Sequence, residues 1–192
     1  TASSAEVFGI DMSGGLALTD FTIEADINGD ESDDLIVGAL RNDSAANDAG
    51  AVYVFYGPIS GTVNASNADA ILTGGSASDQ LGRSVTMLGD VNGDEIGDFM
   101  VTAYKNDFKD SDSGRAYLFY GSSSAPLSGT QNLALGAPPA NVIFDTYFNA
   151  TRLGTDVAPA GDLDGDGNAE ILIGAEHYDK YNYDGQGCNP DP

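Results

Sequence analysis

Positive charge is scarce: seven Lys and Arg stand against 30 Asp and Glu, a formal net charge of −23. That balance excludes the basic patch that nucleic acids and anionic membrane surfaces require, so neither is expected as a partner. A single cysteine, Cys188, excludes an internal disulfide. Together with a single histidine, His177, it leaves too few nitrogen and sulfur donors for a zinc site. No apolar run approaches the roughly 18 residues of a membrane-spanning helix, and no window carries a helical stripe of apolar residues. What the 192 residues do hold is 41% apolar content, arranged in patterned runs. That separates the chain from a disordered acidic segment and suffices for one globular domain with a core.

The patterned runs repeat. "ADINGDESDDLIVGAL", "GDVNGDEIGDFMVTAY" and "GDLDGDGNAEILIGAE" begin at Ala25, Gly89 and Gly161, so the second follows the first by 64 residues and the third follows the second by 72. The same offsets align "AVYVFYG" (51–57) with "RAYLFYG" (115–121), and "LGRSV" at 81 with "LGTDV" at 153 and, more weakly, "ALTDF" at 17. Val7, Ile71 and Ile143 fall in register as well. The extra residues of the second interval enter between Tyr120 and Ile143, in the Ser, Gly and Pro-rich "GSSSAPLSGTQNLALGAPPA", which is expected to be a loop.

Each unit reads as short strands. "DFTIE" and "SVTML" alternate, whereas "LIVGA", "FMVTA" and "ILIGA" are continuous apolar runs, as in strands buried on both faces. "AVYVFYG" is β-branched and aromatic up to a Gly turn, and "ADAIL" or "ANVIF" supplies a fourth segment. Four strands per repeat is the pattern of a β-propeller blade. The expected fold is therefore all-β, a single region over 1–192 built from blades of four antiparallel strands. Residues 4–10 read as the last strand of a preceding blade, 16–74 and 80–146 as blades, and 152–192 as an incomplete one. About two and a half blades predict that further blades, from the same or another chain, complete the propeller.

The loop between the first and second strands of each unit is dense in oxygen donors at positions 1, 3, 5 and 9, with a backbone carbonyl at 7. In the first loop these are Asp26, Asn28, Asp30 and Asp34, with the carbonyl of Ser32. In the second they are Asp90, Asn92, Asp94 and Asp98, with the carbonyl of Ile96. In the third they are Asp162, Asp164, Asp166 and Glu170, with the carbonyl of Asn168. Carboxylates so close repel unless a cation lies among them, and an all-oxygen shell of this size suits calcium; magnesium keeps its waters instead. The pattern predicts about three calcium sites. An EF-hand is excluded, because position 12 is Val37, Val101 or Ile173 rather than Glu, and the flanks are strand-like.

These stretches together, "LGRSV…GDVNGDEIGDFMVTAY…GRAYLFYG", resemble the FG-GAP repeat of integrin α-subunit propellers and of many bacterial secreted proteins. The resemblance implies a seven-bladed propeller, calcium loops on one face and partner-binding loops on the other. Here the Phe-Gly is Leu81-Gly82, Leu153-Gly154 and Ala17-Leu18, and Gly-Ala-Pro becomes "GAL", "TAY" and "GAE". Glu31 and Glu95 stand where the family has Gly, which predicts strain in the first two loops. Gly167 and a fourth carboxylate make the third the expected tightest site.

On the opposite face the resemblance assigns protein or glycan contacts to 40–50, 104–113 and 176–187. These loops hold Arg41, Lys105, Lys109 and Lys180 with Tyr104, Phe108, Tyr178, Tyr181 and Tyr183. The expected function is a non-enzymatic, extracellular or cell-surface adhesion module in which calcium is structural. The alternative is the propeller part of a secreted polysaccharide lyase or hydrolase. It needs an acid/base pair outside the acidic loops, and no such pair or catalytic His177 constellation stands out.

Overall fold

A computed structural model describes residues 9–11, 20–133 and 139–177. In chain order the strands are β1 (Gly9–Asp11), β2 (Asp20–Ala25), β3 (Asp34–Ala39), β4 (Ala51–Phe55), β5 (Thr62–Asn64) and β6 (Ala70–Thr73). They continue as β7 (Leu81–Gly89), β8 (Asp98–Ala103), β9 (Arg115–Phe119), β10 (Gly129–Asn132), β11 (Val142–Asp145), β12 (Leu153–Gly161) and β13 (Glu170–Ala175). The fold is all-β, a partial propeller. β2-β3-β4-β6 and β7-β8-β9-β11 are antiparallel sheets, and β12-β13 opens a third.

The sequence register reappears in the pairing. Phe21 faces Val37, Val85 faces Val101, and Val157 faces Ile173. Each first hairpin carries an irregularity just before its acidic loop, between Ile23 and Ala25, Met87 and Gly89, and Pro159 and Gly161. Such a bulge bends the strand end and sets the direction from which the loop departs.

β3, β4, β8 and β9 are buried throughout, as continuous apolar runs require. One face of the first sheet (Ile36, Val52, Val54, Leu72) shares a core with Leu81, Val85, Phe99, Val101, Tyr117 and Phe119 of the second. Phe99 and Phe119 stack there, 5.0 Å between ring centroids and 7° between planes. The opposite face of the second sheet (Met100, Ala116, Leu118) packs with Val157, and Ile171 and Ile173 of the third hairpin lie against it.

Successive units are joined by a backbone seam. The amides of Ser78, Gln80 and Leu81 donate to the carbonyls of Asn47, Asp48 and Ala49 at 2.9, 3.2 and 2.9 Å. One unit later the amides of Ala150, Arg152 and Leu153 donate to Ser111, Asp112 and Ser113 at 2.8, 3.0 and 3.0 Å. Gly50 bridges Leu81, and Gly114 bridges Leu153, in parallel.

One expectation changes. The stretch between Tyr120 and Ile143 is not only a loop: β10 within it pairs in parallel with β6 and adds a fifth strand to the first sheet. Its sequence Gly-Thr-Gln-Asn lacks apolar alternation because the pairing is made by the main chain. The strand expected at 4–10 lies mostly outside the described residues; Gly9–Asp11 pairs in parallel with β5.

Candidate metal centre

The three acidic loops fold alike. In the first, the Asp26 carboxylate accepts the amides of Asn28, Gly29, Asp30 and Glu31 at 2.5–3.1 Å. In the second, Asp90 accepts Asn92, Gly93, Asp94 and Glu95 at 2.6–3.2 Å. In the third, Asp162 accepts Gly165, Asp166 and Gly167 at 2.6–3.1 Å. The position-1 carboxylate is thus the hub that closes the turn, in the manner of a multiple Asx turn.

Position 5 repeats too: Asp30, Asp94 and Asp166 accept the amides of Ser32, Ile96 and Asn168 at 2.8–3.0 Å. Asn28 and Asn92 each donate their amide NH2 to the carboxylate at position 5, at 3.0 and 3.1 Å. That bond holds the Asp30 carboxyl below its ordinary range, against a smaller burial effect. For Asp90 burial is the largest single influence and raises the carboxyl, but the amides of Glu95, Gly93, Asp94 and Asn92 together outweigh it, and it too lies low.

Position 9 differs in kind. Asp34 and Asp98 are fully buried at the start of β3 and β8. Asp34 accepts the amides of Ile27 and Gly57, both at 2.8 Å. Asp98 accepts those of Val91 and Gly121, both at 2.9 Å. Burial pushes both carboxyls up; the amides oppose this, and the other loop carboxylates add to it. Glu170 accepts the amide of Leu163 in the corresponding role. The glycine that ends each "FYG" therefore ties an acidic loop to the third strand of its sheet. Sequence reasoning missed Gly57 and Gly121, although each lies 23 residues after its acid.

The donor set fits a hard divalent cation: every side-chain donor is oxygen, and the loops are preshaped by backbone bonds. Among the described residues, Asp162, Asp164 and Asp166 form the cluster of three carboxylates whose oxygens lie within 4.8 Å of one another. In the first two loops an Asn replaces the middle carboxylate, so the ligand positions carry three carboxylates rather than four.

At position 6, Glu31 and Glu95 adopt φ of 68° and 67°, while Gly167 has φ of 97°. A left-handed backbone costs an L-residue about 1–2 kcal/mol. No atom lies within 4 Å of a Cβ built on Gly167. Gly167→Ala is therefore expected to lower stability by about 1–2 kcal/mol through the backbone alone. Denaturant midpoints at fixed calcium check this, with a gain of similar size expected in Glu95→Gly, which relieves the same backbone strain.

On the opposite ends of the sheets, Tyr104 is flanked by the charges of Arg83 and Lys105, 5.5 and 5.7 Å from its ring. Phe108 lies between Lys109 at 4.5 Å and Arg115 at 3.6 Å. Arg115 is buried and paired twice with Asp145, at 2.6 and 3.0 Å. Arg41 is exposed, whereas Tyr178, Lys180, Tyr181 and Tyr183 lie outside the described residues. His177 donates its backbone amide to Thr151, and its imidazole has no hydrogen-bond partner among the described residues.

The FG-GAP repeat family matches residues 153–187. Integrin alpha-PS2 of Drosophila melanogaster is 31% identical over 171 residues, 81% of this chain and 11% of its own length. Mouse integrin alpha-IIb is 29% identical over 155 residues, 78% of this chain and 14% of its own. The human alpha-IIb is 28% identical over the same length. The chain thus spans a small part of the relatives it matches. No helix among the described residues is long and apolar enough to cross a membrane.

Proposed function

Because this is an FG-GAP repeat protein similar to integrin α-subunits over most of its length, we propose that it is an extracellular adhesion or interaction module stabilised by calcium. The observation that carries the reading is the threefold recurrence of one loop geometry with an all-oxygen donor set. Calcium supplies the charge that offsets the clustered carboxylates. Asp26, Asn28, Asp30, Asp34 and the Ser32 carbonyl would hold the first ion. Asp90, Asn92, Asp94, Asp98 and the Ile96 carbonyl would hold the second, and Asp162, Asp164, Asp166, Glu170 and the Asn168 carbonyl the third.

The role is non-enzymatic: the protein presents a rigid face, and contact with a protein or glycan falls to the loops at 40–50, 104–113 and 176–187. Blades at 16–74, 80–146 and 152–192 share a larger propeller with further blades, placed at a cell surface or in the extracellular medium.

Calorimetric titration of the calcium-free chain tests the metal reading. Three sites are expected, the third loop filling first. Asp164→Ala removes a carboxylate from the triple cluster, and Asn28→Ala removes a neutral ligand from a strained loop. The former is expected to weaken its site by at least about tenfold more, a difference of about 1.4 kcal/mol. Absence of calcium heat, or the reverse order, contradicts the assignment.

A further inference from the structure

We propose that the outer edge of β11 is a strand-addition site. It takes an extended polar segment of an adjoining repeat unit in parallel register, as β6 takes β10. The device occurs twice among the described residues. β5 follows the third strand of one unit and pairs in parallel with β1, which stands just beyond Val7, the residue in register with Ile71. β10 follows the third strand of the next unit and pairs in parallel with β6. β11 is the third member of this series, with Ile143 in register with Ile71.

The hydrogen-bond polarity transfers residue by residue. Gly129 donates to the Asp69 carbonyl and Leu133 to the Thr73 carbonyl, each at 2.9 Å. With Ala70 opposite Gly129, a parallel ladder therefore uses the outward amides of Ile71 and Thr73. Val142 pairs with Leu118 as Ala70 pairs with Val54. The amides of Ile143 and Asp145 accordingly point away from the sheet, available to an incoming strand.

Three further features of the β10 clasp have counterparts at β11. The Tyr56 hydroxyl donates to the Leu127 carbonyl at 2.8 Å. Tyr120 occupies the same place in the next unit, and its hydroxyl has no partner among the described residues. Asn132 donates its side-chain amide to Thr73 Oγ1 at 3.1 Å and to the Gly74 carbonyl at 3.2 Å. Asp145 stands in register with Thr73; paired with Arg115, its two oxygens keep lone pairs that can accept a further donor there.

Leu133, after the clasp, is buried in one cluster with Leu72, Leu81, Val101 and Ala103. Their counterparts Phe144, Leu153, Ile173 and Ala175 line a groove of about 560 Å³. The incoming segment thus needs a carbonyl for Tyr120, a Gly-led polar strand, a donor beside Asp145 and then an apolar residue. Residues 126–133, "PLSGTQNL", have that chemistry.

A blocked peptide of that sequence, added in calcium buffer to the whole chain, tests the proposal by hydrogen exchange. At saturating peptide, exchange at the Ile143 and Asp145 amides is expected to slow at least about tenfold. Ile143→Pro, which removes an outward donor, should abolish the effect. Tyr120→Phe, which leaves the fold intact, should weaken binding about threefold to tenfold, the loss of one hydrogen bond. Unchanged exchange, or equal slowing by the reversed peptide, overturns the proposal. Self-association of the chain that Ile143→Pro removes also overturns it, since the occupant is then a second copy.

Discussion

Adding EGTA is expected to lower the unfolding midpoint of the chain by roughly 15 °C or more. A ligand held by the native state alone stabilises it by RT ln(1 + [L]/Kd), about 2.7 kcal/mol per site at a hundredfold excess over Kd. Three filled loops give about 8 kcal/mol, comparable to the whole stability of an ordinary domain. At this chain length one kcal/mol moves the midpoint by about 2–4 °C. The ten carboxylates at the ligand positions repel in the absence of the ion. Two of them, Asp34 and Asp98, are buried, so solvent screens them least. Because each is also bonded to Gly57 or Gly121, the loss reaches the third strand of each sheet rather than staying in the loop. Superimposable thermal melts with calcium and with EGTA would refute the metal reading.

The second large effect is expected from Gly50→Ala, a loss of about 2–5 kcal/mol. Gly50 has φ of 82°, which costs an alanine about 1–2 kcal/mol. An added Cβ would lie 2.2 Å from the Leu81 carbonyl oxygen and 2.4 Å from its nitrogen. These are main-chain atoms that cannot swing away, and overpacking of this kind adds about 1–3 kcal/mol. Gly50 also accepts the Gly74 amide at 3.0 Å, so displacement opens the seam at two points. Gly61→Ala is the control: φ is 72° but nothing lies within 4 Å, so only the backbone cost of about 1–2 kcal/mol remains. Equal losses in the two variants, measured by urea denaturation, would show that the seam contact is not what matters at Gly50.

The hairpins and the acidic loops could be read from the sequence because both depend on local spacing. Val37, Val101 and Ile173 are buried or half-buried partners at one recurring register, and Asp26, Asp90 and Asp162 close one recurring turn. The strain at Glu31 and Glu95 was legible too, as a departure from Gly at a left-handed position.

What escaped is set by distant partners. Nothing near Asp34 announces that Gly57 binds it, since the bond needs β4 to return across the sheet. Burial of Arg115 depends on Asp145, 30 residues away, and on Phe108 from a loop. β10 was missed because a polar edge strand joined through main-chain atoms leaves no side-chain period to detect.

The seam between units consists of main-chain donors and acceptors, and so it specifies conformation rather than composition. Ser78 and Ala150, Gln80 and Arg152, and Ala49 and Ser113 occupy equivalent places with unlike side chains. The first two pairs keep nearly the same φ, 67° against 55° and 56° against 53°. Gly50 and Gly114 are the shared fixed points. Such a joint acts as a standard coupling: a unit duplicated in the gene can be accepted at once, and its copies can then drift apart in charge and shape without unlocking from their neighbours. Diversity of the exposed loops follows from the indifference of the joint beneath them.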